Sequence, residues 1–187
     1  MLLKINLQAC RRYIKETAEL LAEDIVPSAC PAVGHSPYRP GYDWLFYTER
    51  RIARILDPWL KPYRQELIGP GGLISEALSN AYCHGSRRDA LKMISINVWS
   101  GERGLIVRIA DTGDGFSLAA LRNHFEQGKG YFSQAGHGFR QMVTSRRFGV
   151  FFNSRGNAFH LVYLLRTALL EFSIALESFA NRDRKNL

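Results

Sequence analysis

Between residues 94 and 109 the chain alternates apolar and polar side chains in the way a strand requires. Ile94, Ile96 and Val98 are separated by Ser95 and Asn97, and Leu105, Val107 and Ile109 resume the alternation after Ser100-Gly101-Glu102-Arg103-Gly104. Successive side chains of a strand point to opposite faces, so this period of two reads as an antiparallel hairpin with one face toward a core. The pattern predicts a second hairpin over 148–152 and 159–165, around the turn Ser154-Arg155-Gly156-Asn157. An apolar sheet face has to be covered, and the rest of the chain supplies helical patterns to do it.

Leu7, Cys10, Ile14, Leu21 and Ile25 fall mainly three, four and seven residues apart, opposite Arg11, Arg12, Lys15 and Glu19. That spacing predicts an amphipathic helix over 7–25. Pro27, Pro31, Pro37 and Pro40 then forbid regular structure until about Tyr42. A second helix is expected over 44–56, with Leu45, Ile52, Ile55 and Leu56 inward and Pro58 and Pro62 interrupting it. A third follows Gly69-Pro70-Gly71-Gly72 over 73–83, with Gly85 as its C-terminal cap. A stretch rich in glycine and polar residues, 111–138, leads to a short helix over 139–144. A last helix covers 167–180, where Leu165, Leu169, Phe172, Leu176 and Phe179 make an apolar stripe that has to bury itself on this chain or on a partner. Helices followed by an antiparallel sheet predict an α+β fold, a two-layer sandwich with helices on one face. The chain divides into an N-terminal segment, 1–42, a central domain, 43–166, and a C-terminal helix, 167–187.

Composition narrows the setting. The 187 residues suit one domain with additions. Cys10, Cys30 and Cys83 are widely spaced and form no CxxC pair, so neither a disulfide framework nor a zinc site is indicated, and a reducing cytoplasm is the expected compartment. The apolar region 159–180 is interrupted by Arg166, Glu171 and Glu177, which argues against a membrane span. The net charge of +8 favours anionic ligands or partners. The basic residues come as scattered doublets, Arg11-Arg12, Arg50-Arg51, Arg87-Arg88 and Arg146-Arg147, as a solvated surface would carry them. No groove-reading motif supports nucleic acid as a partner.

Three local patterns carry chemistry. On the expected third helix Glu76, Asn80 and His84 stand four residues apart and share one stripe. Mg²⁺ takes few protein ligands and is completed by water and phosphate, a role that suits the Asn80 carbonyl oxygen. Glu76, one turn earlier, could take a proton from an attacking hydroxyl or water. A purely structural helix would also leave polar residues on its wet side, and His84 fits that role better than catalysis. Second, Asp111-Thr112-Gly113-Asp114-Gly115 follows a strand ending at Ile109-Ala110. A carboxylate there can accept from an exocyclic amine such as adenine N6, and Gly113 and Gly115 let a ligand approach the backbone. Turns favour Asp and Gly for structural reasons as well. Third, Gly128-Lys129-Gly130 and Gly136-His137-Gly138 precede the helix expected at Phe139. Free amides at a helix start bind phosphate, and Lys129, His137 and Arg140 add positive charge.

The order of the three patterns is more specific than any one of them. A helix bearing E-x-x-x-N-A-x-x-H-G, a hairpin, D-x-G-x-G, a long loop ending G-x-G-F, a helix and a final hairpin together resemble the GHKL ATPase superfamily, the Bergerat fold, and within it the anti-sigma-factor serine kinases. Glu76 to Gly85 resembles that family's N box, Asp111 to Gly115 its G1 box and Ala135 to Phe139 its G2 box. The resemblance spans about Trp44 to Leu165. It implies ATP and Mg²⁺ as cofactors, Asn80 as the metal ligand, Glu76 as general base and Asp111 as acceptor of the adenine amine. Gly113, Gly115, Gly136 and Gly138 would shape the nucleotide pocket and its lid, with Lys129 and His137 among the nucleotide-binding residues. It also implies serine/threonine kinase activity on a small antagonist protein or a sigma-like regulator, and a homodimer. The stretch Thr144-Ser145-Arg146-Arg147-Phe148 lacks the acidic residue common near that point of the family. Two alternatives stay open. One is a nucleotide-gated binding module without kinase activity. The other is an isolated catalytic domain of a histidine-kinase-like system, since the 7–25 segment holds no phosphoaccepting His.

Overall fold

The computed structural model describes residues 6–30, 42–117 and 147–165. The expected helices over 139–144 and 167–180 lie outside the described residues, as do Lys129, Gly136, His137 and Gly138. The elements run α1 (Leu7–Tyr13), β1 (Glu16–Ile25), α2 (Asp43–Leu60), α3 (Arg64–Leu67), α4 (Leu73–Asn80), β2 (Ile94–Gly101), β3 (Gly104–Asp111), β4 (Phe148–Phe152) and β5 (Ala158–Leu164). The five strands form one antiparallel sheet in the order β1-β2-β3-β5-β4. The class is α+β, compatible with a two-layer sandwich.

Both hairpins stand where the alternation puts them, in the register Val98↔Val107 and Val150↔Leu161. Ile94, Ile96, Val98, Leu105, Val107, Ile109, Phe159 and Leu161 share one face, and α2 and α4 close over it with Trp44, Ile52, Leu56, Ile74 and Leu78. Ile74 and Leu78 are fully buried, each contributing about 1.5–3 kcal/mol of hydrophobic stabilisation.

The N-terminal segment departs from the expected helix over 7–25. Asn6 caps α1 by accepting from the Ala9 amide at 2.8 Å, and the helix stops after two turns. Lys15 then takes a left-handed backbone (φ 50°), the turn with which many helices end, and the chain continues as strand β1 paired to β2. Leu21 and Ile25 are four residues apart, a spacing that lands on one face of a helix and equally on one face of a strand. Irregularities at Glu16/Ala18 and Glu19/Leu21 erase the alternation that would have told the two apart. α1 packs on the sheet face opposite α2 and α4, where Ile14, Trp99, Ile106 and Leu164 form a small second core. Helices therefore touch both faces, not one alone.

α2 also runs past Pro58, expected to interrupt it, for two residues to Leu60. Leu60 is almost fully buried and holds that last turn on the core.

Candidate functional site

α4 starts at a joint made of glycines. Gly69 and Gly71 take left-handed backbone angles (φ 99° and 76°), the Gly69 amide donates to Ser75 Oγ at 2.8 Å, and a Cβ on Gly72 would overlap the Leu67 backbone. The helix buries Leu73, Ile74, Ala77 and Leu78, which turns Glu76 and Asn80 to its half-exposed side, one turn apart.

Beyond Asn80 the helix widens into a π-helical turn over Ala81–Gly85, where the Ser86 amide reaches back to the Ala81 carbonyl at 2.7 Å. Such single wide turns concentrate at functional positions. Tyr82 anchors it, packed edge-on against Tyr42 and Trp44 with ring centroids 5.4 and 5.3 Å away. The widening sets His84 on the exposed side and brings Gly85 to the end of β3. Arg87 and Arg88 follow with positive φ (55° and 61°), and the Arg88 amide donates to the Tyr82 carbonyl at 2.9 Å.

Gly85 meets Asp111. A Cβ on Gly85 would overlap the Asp111 carboxyl, and one on Gly113 would overlap the Gly85 carbonyl. The Glu76–Gly85 and Asp111–Gly115 segments, separate in sequence, share one joint. Asp111 Oδ1 accepts from the Gly113 amide at 2.8 Å, a short turn closed by the carboxylate itself. Withdrawal from water raises the Asp111 pKa above the usual carboxylate range, while the Gly113 amide and the charges of Arg155 and Lys92 act the other way. An ionised carboxylate offers about four acceptor positions, so the bond from Gly113 leaves capacity for an exocyclic amine. That remaining acceptor capacity fits the exocyclic amine of an adenine base.

At the rim, Asp114 is exposed and lies 3.3 Å from Arg87 Nη2 and 3.9 Å from Arg155 Nη2. Solvated pairs of this kind contribute at most about 1 kcal/mol. Among the described residues no group of three or more His, Cys, Asp or Glu could hold a metal ion. An ion at Asn80 would therefore take its other ligands from water and phosphate, as Mg²⁺ commonly does.

Sequence reasoning brought Glu76, Asn80, Asp111, Gly113 and Gly115 to notice and missed their neighbours across the sheet. Gly115 (φ 77°) would overlap the Arg155 carbonyl if it carried a Cβ, and Gly156 (φ 78°) would overlap the Phe116 carbonyl. Asn157 bonds to the main chain of Asp111 and Gly113. In sequence the R-G-N string of the β4–β5 turn looks like a turn and no more. Its one signal was a glycine and an asparagine at the end of a hairpin, which any hairpin shares.

No helix among the described residues is long and apolar enough to cross a membrane. The chain matches no protein-family model and no curated protein.

Proposed function

We propose that the chain binds Mg-ATP and is a serine/threonine protein kinase of the anti-sigma-factor type, acting on a small regulatory protein. The observation that carries this reading is the joint between Gly85 and Asp111, which sets the end of the Glu76/Asn80 helix against the strand-end carboxylate.

Asp111 would accept the exocyclic amine of the base, and the Gly113 amide would hold its carboxylate in place. Asn80 would hold the magnesium ion, which when bound supplies charge neutralisation to the phosphates. Glu76, one turn earlier on the same side of α4, would take the proton from the attacking hydroxyl. Phosphoryl transfer asks little more of a protein than position and compensating charge. The partner and the homodimer follow from the family resemblance and are part of the proposal.

The experiment is a titration with ATP and GTP. Guanine presents a carbonyl where adenine presents an amine, and an unmatched buried polar contact costs about 1–3 kcal/mol. ATP should bind about 5- to 150-fold more tightly, and Asn80→Ala should weaken Mg²⁺-dependent ATP binding. Equal affinities for the two nucleotides would sink the assignment of Asp111.

A further inference from the structure

Asp111 is fixed from a third direction, by a loop more than forty residues further along the chain. The Asp111 amide donates to the Asn157 carbonyl at 3.0 Å. In return the Asn157 side-chain Nδ2 donates to the Asp111 carbonyl at 3.1 Å and to the Gly113 carbonyl at 3.4 Å. One amide thus grips both ends of the short turn that the Asp111 carboxylate closes on the Gly113 amide. Its orientation is set as well. Asn157 Oδ1 accepts from Asn153 Nδ2 at 2.8 Å, and Asn153 Oδ1 accepts from the Asn157 and Ala158 amides at 3.0 and 3.1 Å. Turning the Asn157 amide over would set its oxygen against two carbonyl oxygens.

Shape supports the same contact. Segments 115–116 and 155–156 meet backbone to backbone, with a glycine on each side at positive φ, so neither loop can shift without the other. The main chain of the turn that carries the Asp111 carboxylate is thus held from both sides.

We propose that Asn157 is a positioning residue for base recognition, holding the Asp111 carboxylate where it distinguishes an amine from a carbonyl on a purine. This inference rests on the nucleotide reading of the site. The side chain does not touch the base in this account. It acts through Asp111.

The test compares ATP and GTP affinities in the wild-type chain, Asn157→Ala and Ile106→Val. Ile106 is fully buried on the opposite face of the sheet, so its variant loses stability without touching the site. In Asn157→Ala the ratio of ATP to GTP affinity should fall by roughly tenfold, the worth of two lost hydrogen bonds, with Ile106→Val keeping the wild-type ratio. A merely structural Asn157 would weaken both nucleotides together and leave the ratio alone, and that result overturns the proposal while leaving the nucleotide site standing. Wild type that binds neither nucleotide overturns the nucleotide reading and the positioning role with it, and wild type that binds both equally overturns the base assignment of Asp111 and so the positioning role. Asn157→Ser, which keeps a hydroxyl donor at shorter reach, gives the same comparison if the alanine variant does not fold. Its ratio should lie between the two, and an unchanged ratio counts against the proposal in the same way.

Discussion

The two ends of the central sheet are joined in the same way and contain different things. At one end the β2–β3 turn is keyed into the N-terminal segment. A Cβ on Gly101 would overlap the Ile14 carbonyl, one on Gly104 would overlap the Tyr163 carbonyl, and the Arg103 amide donates to Ile14 at 3.0 Å. What this joint encloses is apolar: Ile14, Trp99, Ile106 and Leu164, with the Arg11 guanidinium over the Trp99 ring at 4.8 Å. At the other end Gly85 and Gly113 make equally close joints around the carboxyl group of Asp111, and Gly115 and Gly156 lock the adjoining loops to each other. A glycine against a foreign backbone marks a fitted joint and nothing more. The side chain held in the joint decides whether the place has chemistry.

The comparison breaks most visibly at Glu76. Glu76→Gln should lower phosphoryl transfer from ATP to the protein substrate by about 10²- to 10⁴-fold, the usual contribution of a general base, with an unchanged melting midpoint. Single-turnover kinetics at saturating ATP measure it, and a fully active glutamine variant removes Glu76 from the mechanism.

A pair of glycine variants sharpens the contrast between the ends. Gly101→Val should cost about 3 kcal/mol of stability, since it overpacks a joint lined by main chain that cannot step aside, and the folded protein should keep its affinity for ATP. Gly85→Ala pushes on Asp111 and should weaken ATP about tenfold or more. Thermal unfolding and calorimetric titration of both variants decide it. Loss of ATP affinity in Gly101→Val would show that the two ends are not independent.

The smallest effect concerns His160, in the middle of β5 and belonging to neither end. It is buried, stacked on Phe151 with centroids 4.4 Å apart, and withdrawal from water lowers its pKa from 6.5 to about 4. The unfolded chain takes up its proton first, so stability is lost as pH falls from about 6.5 toward 4 and levels off below that. At pH 5 the loss should be about 2 kcal/mol. His160→Phe should remove this part of the acid sensitivity, read by urea unfolding at pH 7 and pH 5. An unchanged pH dependence would show that another group dominates.

The hairpins were legible because a sheet covered on one face writes its period into the sequence, as Ile94, Ile96 and Val98 do. α4 was legible because its apolar positions and its glycine joint are local. β1 was not. Leu21 and Ile25 satisfy both periods, and the strand's true partner, β2, lies far along the chain, where local spacing cannot report it. At the candidate site, Glu76, Asn80 and Asp111 stood out because their residue types and order carry a pattern. The contact between Gly85 and Asp111 and the grip of Asn157 were invisible for the same reason as β1. They are decided by packing between segments remote in sequence, and the residues involved look like ordinary turns.

The pairing of β1 has a consequence for how the molecule is made. Ile25 lies beside Ile94 and Glu16 beside Gly101, so β1 leaves the ribosome about seventy residues before the strand it pairs with. The β2–β3 hairpin needs only a short turn and can close within microseconds of its synthesis. β1 must close a long loop first, a slower and entropically costlier event. Until then its unpaired edge is open to any other strand it meets, including β1 of a neighbouring nascent chain. Slow translation before β2 would lengthen that exposure, and the yield of folded protein should depend on how quickly the ribosome covers that interval.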